Sequence, residues 1–348
     1  MNNLAERAAP RPWLVLALLL AAALVAMALF MTLNARGSWD FVLPFRGRKL
    51  WALVLVAYAI AVSTVLFQTV TENRILTPAI MGFDFLYQFV QTGLVFILGG
   101  FAYATLDPML RFGGDVLVMV GLATLLFRWL FGTGARSLHL LVLVGIVFGV
   151  LFRSLSGLMQ RLIDPNEFVV LQDALFASFN TVPPELLLVA TGLIVAASLI
   201  ALPLLSRLDV LLLGRDTATN LGVDHRRTVA LVLVVVAVLV SVSTALVGPV
   251  LFFGLLVANL AYLAMPGYRH IEVLPAAVLI GVSLVVGILG YRLLEGLGWL
   301  DSYAHAAMIL SGMGPYDEPA RPWSRFFEGT YALYSGLVVV ATTGLVLA

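Results

Sequence analysis

The densest polar chemistry in this chain lies between Arg207 and Thr228, in the run RLDVLLLGRDTATNLGVDHRRT. Arg207, Asp209, Arg215, Asp216, Asp224, Arg226 and Arg227 are gathered there, out of 20 basic and 19 acidic residues in the whole sequence. Such mixed charges, interleaved with leucine, suit recognition of a partner better than bond-making. Leu211, Leu212, Leu213, Leu221 and Val223 are spaced so that a short helix ending at Gly222 shows an apolar face to a soluble protein. Asp216 is the expected N-cap and Gly222 the expected C-cap of that helix. A plain solvated loop is the alternative, and it would not need the Leu211 to Leu213 cluster.

Bond-making chemistry is hard to find elsewhere. There is no G-x-x-x-x-G-K-[ST] phosphate loop, so any ATP hydrolysis must occur on another chain. Neither H-E-x-x-H nor G-x-S-x-G occurs, and His139, His225, His270 and His305 are scattered. Asp301 and His305 lie one helical turn apart and could share a metal, but a surface pair is the expectation. No catalytic residue, metal site or cofactor is therefore assigned. The absence of cysteine removes disulfides and thiolate ligands.

The elements that must carry the polar island follow from composition. A chain of 348 residues with 61% hydrophobic and 11% charged residues is far from a soluble domain, in which about 25% are charged. It reads as an integral membrane protein. The bilayer core asks for about 20 apolar residues per helix, and unpaired backbone is not tolerated there. The apolar runs do not alternate, which excludes barrel strands. The expected fold is all-α and polytopic, with ten spans at about 13–33, 50–70, 79–104, 114–132, 138–158, 185–206, 229–247, 250–265, 272–294 and 329–347. The first is read as an uncleaved helix, being too long for a signal segment. Gly248-Pro249 should divide the long run from Val229 to Ala264, and 168–180 is too short and polar to span.

With the N-terminus inside, the basic residues divide evenly between the faces, so the positive-inside rule does not orient the chain. An outer face so rich in arginine is explained by docking of an acidic soluble partner. No basic, aromatic-interleaved face for nucleic acid exists. Within the spans the polar residues are few: Gln68, Asp84, Gln88, Gln91, Asn259, and a cluster of Ser241, Ser243 and Thr244. Intramembrane polar groups either bond across helices or line a pathway.

Two segments narrow the class. One is FQTVTENRILTPAIMGFD from Phe67 to Asp84, where Asn73, Thr77 and Pro78 make a helix stop and restart, and Gly82 allows close helix approach. The other is the island together with SVSTALVGPVLFFGLLVANLAY from Ser241 to Tyr262. Over about residues 40–296 these resemble FecCD-type permeases of ABC importers, and within them the iron chelate and siderophore uptake subgroup, whose second helix similarly ends in N-R-I-L-T-P-x-I-M-G.

The resemblance implies a BtuC-like, type II ABC importer permease in the bacterial inner membrane, embedded in lipid. Its implied partners are an ATP-binding subunit, a periplasmic siderophore-binding protein, and a second permease as homodimer or heterodimer. It places the ATPase contact on Leu213, Gly214, Arg215, Asp216, Ala218, Leu221 and Gly222. It makes Arg46, Arg48 and Lys49, at the outer end of the second span, candidates for docking the binding protein; headgroup anchoring is the alternative. Gln68, Gln88, Gln91 and Asn259 are the candidate pathway or interhelical residues. The implied function is translocation of iron(III)-siderophore complexes. An ion-gradient-driven transporter is the alternative, for which only Asp84 could serve as a coupling residue. After about residue 296 the chain departs from the family. It is accordingly divided into a permease domain, 1–300, and a divergent segment, 301–348, carrying the last span.

Overall fold

A computed structural model describes residues 12–32, 38–132, 138–179, 182–250, 252–265, 267–310, 324–332 and 335–336. Every regular element among them is helical: α1 Pro12–Thr32, α2 Trp39–Thr71, α3 Phe83–Leu98, α4 Gly100–Thr105, α5 Pro108–Gly132, α6 Leu138–Gln160, α7 Pro165–Leu175, α8 Pro184–Ala201, α9 Leu205–Leu211, α10 Arg215–Asn220, α11 His225–Val247, α12 Phe253–Ala264, α13 His270–Glu295 and α14 Trp299–Leu310. A further helical stretch covers 324–332. Seven described helices are long and apolar enough to cross a bilayer, and α3 and α12 are shorter apolar helices. The chain is a multi-span membrane protein. The count of ten is not reached among the described residues, because most of the expected span 329–347 lies outside them, as do Arg7, Arg11, Arg36, Arg136, Arg321 and the side chains of Arg128 and His139.

The helices form two compact units, Ala59–Leu256 and the remainder from both chain ends. In the first, α11 packs on α5 and α8, and α3 on α6. The β-branched run of α11 is buried almost all round, with Val232, Leu233, Val235, Val236, Ala237 and Leu239 each at most 2% exposed. In the second unit, α13 packs against α1 and α14.

Several boundaries differ from the sequence expectation, for local reasons. α2 begins at Trp39, not near residue 50, and runs through Pro44. A proline just beyond the first turn removes a single helical hydrogen bond and does not stop the helix. The expected span 79–104 is cut instead. α3 starts at Phe83, and Gly99, at φ 82° and ψ 156°, ends it before the short α4; only glycine adopts that backbone readily. The division at Gly248-Pro249 falls as expected, with Gly248 at φ 98°. The short polar stretch after residue 164 becomes α7, whose N-cap Asp164 accepts from the Asn166 N–H. Past α7, the Ser178 N–H donates to the Val247 carbonyl at 2.7 Å. That bond occupies one of the orphan acceptors at the end of α11.

The motif at 73–82 folds as a structured connector. The Asn73 side chain accepts from the Ile75 N–H at 2.9 Å, and Thr77 from the Ile80 N–H at 3.3 Å. Gly82 takes the left-handed conformation at φ 100°. A Cβ there would lie 2.7 Å from the Gly149 Cα. The close approach of α3 to α6 therefore depends on two facing glycines.

Candidate functional site

The polar island folds into two short helices joined by a tight turn. α8 passes through a 3-10 turn at Leu202–Leu204 into α9. Gly214, at φ 89°, then redirects the chain into α10. A left-handed residue is needed there for direction, since nothing lies within 4 Å of where its Cβ would be. α10 ends in a Schellman motif: the Val223 N–H donates to the Ala218 carbonyl and the Gly222 N–H to the Thr219 carbonyl, both at 3.0 Å. Gly222 is at φ 84°. Asp224 then caps α11, accepting from the Arg227 N–H at 3.0 Å.

Two details correct the sequence expectation. The N-cap of α10 is Gly214, not Asp216, which sits one residue inside the helix, where its charge still favours the positive end of the helix dipole. The C-cap is Leu221, and Gly222 is the residue beyond it. Both glycines are fixed by positive φ, which residue type announces but capping preference alone misassigns.

The island sorts its side chains by face. Leu208, Leu211 and Ala218 are buried, and they hold α9, α10 and α11 together. Leu212, Leu213 and Leu221 are exposed by 46%, 59% and 61%, beside exposed Arg215 and Asp216. Exposed leucines thus stand beside charged side chains on this face. The leucines expected to form one face are split, with Leu211 turned inward and Leu212, Leu213 and Leu221 exposed.

The basic cluster lies on α2, within its first turns. Arg46 is half-buried and donates from Nη1 to the Phe30 carbonyl at 2.7 Å, at the C-terminal end of α1. A cation there satisfies an orphan carbonyl and the negative end of the helix dipole. Lys49 lies 4.2 Å from the centre of the Phe45 ring, a cation–π contact. Arg48 is exposed and donates to the Pro44 carbonyl at 3.2 Å. Of the three, Arg48 faces solvent most fully, while Arg46 has structural work of its own.

The polar residues within the spans form two groups. The buried Gln68 donates to the Arg74 carbonyl at 2.6 Å, tying α2 to the connector. The buried Gln91 accepts from Tyr103 Oη at 2.7 Å. The Arg111 guanidinium lies 5.1 Å from the Tyr103 ring centre, and buried Asp115 belongs to the same corner of α3, α4 and α5. Gln88 and Asn259 are half-buried. Gln91 thus bonds between two helices, and Gln68 bonds to the connector that follows its own helix. Sequence inspection missed Asp115 and Tyr103 as partners of Gln91; the signal was an acid inside an apolar helix next to Gly113-Gly114.

A cavity of about 360 Å3 opens between α3, α5 and α6 and is lined by such residues as Phe83, Leu86, Leu122, Phe148 and Phe152. None of its lining side chains is polar, so it offers nothing to an iron chelate. Among the described residues no group of three or more acidic or histidine side chains could hold a metal. His305 is not on the surface as expected: it is buried, its Nδ1 lies 2.9 Å from the Asp301 carbonyl oxygen, and its ring packs on Tyr291.

The divergent C-terminal region packs into the helical unit. α14 lies along α13. Tyr291 of α13 meets the Phe327 ring edge-on, with 5.6 Å between centroids. Gly287 and Gly290 leave the space that Tyr331 and Phe327 fill.

Comparison with known proteins follows the same lines. The FecCD transport family matches residues 13–290. The petrobactin import system permease protein YclO of Bacillus subtilis (strain 168) is 45% identical over 272 residues, covering 78% of this chain and 86% of that protein. The petrobactin import system permease protein FatC of Bacillus anthracis is 36% identical, covering 80% of each. A chain described as a metal-chelate type ABC transporter, solved in an inward-facing conformation, superposes with a TM-score of 0.69 at 20% identity, covering 97% of this chain and 99% of that one. That structural likeness bears on the fold.

Proposed function

This chain belongs to the FecCD transport family, and from that premise we propose that it is the permease subunit of an ABC importer that carries iron(III)-siderophore complexes across the bacterial inner membrane. Both similar permeases named above serve petrobactin import, which favours a siderophore as cargo. ATP is hydrolysed by a partner subunit, a periplasmic binding protein delivers the complex, and a second permease completes the membrane pore.

The observation that carries the assignment is the outward leucine patch of α9 and α10. The turn after α9, carrying Leu212 and Leu213, and the end of the glycine-bounded α10, carrying Leu221, set exposed leucines among charges, which is what an ATPase cleft can grip. Closure of the ATPase dimer on nucleotide would push these helices. α9 is continuous with α8 through the 3-10 turn, and α11 follows directly from the Asp224 cap. Displacement at the island is therefore delivered to two spanning helices, which is the mechanical basis of alternating access. Leu213, Gly214, Arg215, Asp216, Ala218, Leu221 and Gly222 remain the proposed contact, with Ala218 supporting it from beneath. Arg48, flanked by Arg46 and Lys49, is the proposed dock for the binding protein.

Residues 1–300 form the proposed permease domain. The segment 301–348, which bears α14 and the Phe327 packing, is its divergent C-terminal part. Ferric siderophore uptake in cells lacking the cognate ATPase tests the proposal. Loss of uptake is expected, and persistence would favour the gradient-driven alternative.

A further inference from the structure

Asp84 is the second residue of α3 and only 6% exposed. Its Oδ2 has no hydrogen-bond partner among the described residues. It lines a cavity of about 20 Å3 bordered by α2, the 73–82 connector, α11 and the start of α12, which five hydroxyl-bearing residues also line: Ser63, Thr64, Thr77, Ser243 and Thr244. About 10–15 Å3 is enough for a single water-sized occupant. No lining residue is Lys, Arg or His, although an acid buried among membrane helices is costly unless its charge is matched.

The direction of the neighbouring hydrogen bonds limits what can match it. Ser63 Oγ donates to the Ile60 carbonyl at 3.1 Å, and Ser243 Oγ donates to the Val240 carbonyl at 2.9 Å. Each hydroxyl has one hydrogen, so both oxygens have only lone pairs left to offer. Thr77 Oγ1 accepts from the Ile80 N–H and keeps its own hydrogen to donate. The Ser63 and Ser243 oxygens thus face the carboxylate as acceptors only, while each threonine oxygen still has a lone pair to offer. A protonated carboxyl would serve one of these oxygens, whereas a hard cation draws on several at once. A divalent ion would leave excess positive charge beside a single carboxylate; a monovalent ion leaves none.

We propose that Asp84, with the hydroxyl oxygens of Ser63, Thr64, Thr77, Ser243 and Thr244, forms a binding site for one monovalent cation of sodium size. Its place joins the start of α3 to α2 and α11, so the ion acts as a fastener between helices. The cavity holds only that ion, which makes the site distinct from the route of a bulky chelate.

The test is thermal unfolding of the purified full-length chain in sodium, potassium or N-methylglucamine chloride at constant ionic strength. A saturable rise in unfolding temperature of several degrees, specific to sodium, is expected. D84N should abolish the sodium-dependent shift, and T244V should weaken the apparent sodium affinity by at least tenfold. Absence of a sodium-specific rise, or an undiminished rise in D84N, would overturn the site. Should D84N not fold, T244V and S243A retain the carboxylate and decide the matter, since a normal sodium response in both would refute the hydroxyl shell. Uptake assays are not involved, so failure here is distinguishable from failure of the importer assignment.

Discussion

Replacing the two most exposed leucines of the island by glutamate, as L213E/L221E, should detach the ATPase subunit while leaving the permease in the membrane. Full burial of a leucine side chain is worth about 1.5–3 kcal/mol. Leu213 and Leu221 are 59% and 61% exposed, so completing their burial in a partner cleft contributes about 1–2 kcal/mol each. Glutamate forfeits that and adds the cost of a desolvated charge. Each single change should therefore weaken association about tenfold, and the pair about a hundredfold or more. The fold itself should survive, because Leu208, Leu211 and Ala218 form the buried side of the island. Association is read by co-purification and by titrating the ATPase subunit against the permease in lipid nanodiscs, with membrane yield as the control. L117A, at a 75% exposed position within α5, should leave association unchanged. Normal affinity in L213E/L221E would refute the assignment of this patch to the ATPase.

Three other perturbations probe the rest of the account. G82A forces a Cβ against the Gly149 backbone at a left-handed residue, which should cost about 1–3 kcal/mol from backbone strain alone; G121A, with open space around it, should be neutral or mildly stabilising in the same melts. F327A removes a ring that is 2% exposed and should cost about 3–5 kcal/mol, whereas F326A, at a 57% exposed position, should cost less than about 1 kcal/mol; equal effects would deny the C-terminal stretch its place against α13. R48E should weaken binding-protein docking in a manner that fades with added salt, while R46E should also lower thermal stability through loss of the Phe30 cap. Unchanged docking in R48E would leave this cluster as lipid anchors.

The spanning helices were legible because bilayer thickness imposes long apolar runs that little else produces. Local chemistry also told the truth at Asn73, Thr77 and Gly248-Pro249, where the breaking residue acts on its own backbone. The start of α2 at Trp39 was hidden because its first turns carry Arg46, Arg48 and Lys49 ahead of the apolar run, and the Gly99 kink was hidden inside an apolar run. Within the island, the glycines were recognised but their cap positions were not, because φ decides the boundary and Asp216 merely resembles a cap. Tertiary roles were the least legible. Arg46 has the residue type of a docking cation, yet its partner is a carbonyl sixteen residues away in sequence. Likewise nothing near Gln91 in the chain announced Tyr103 and Asp115, and His305 could be known as buried only once α13 and α14 were side by side.

The central claim is ATP-driven transport through this chain. Proteoliposomes containing the permease, its partner permease and the ATPase subunit, supplied with binding protein and radiolabelled ferric siderophore, test it most directly. The account predicts accumulation that requires ATP inside the ATPase compartment, is lost in L213E/L221E, and is indifferent to the direction of any sodium or proton gradient. Accumulation driven by such a gradient without ATP would contradict it.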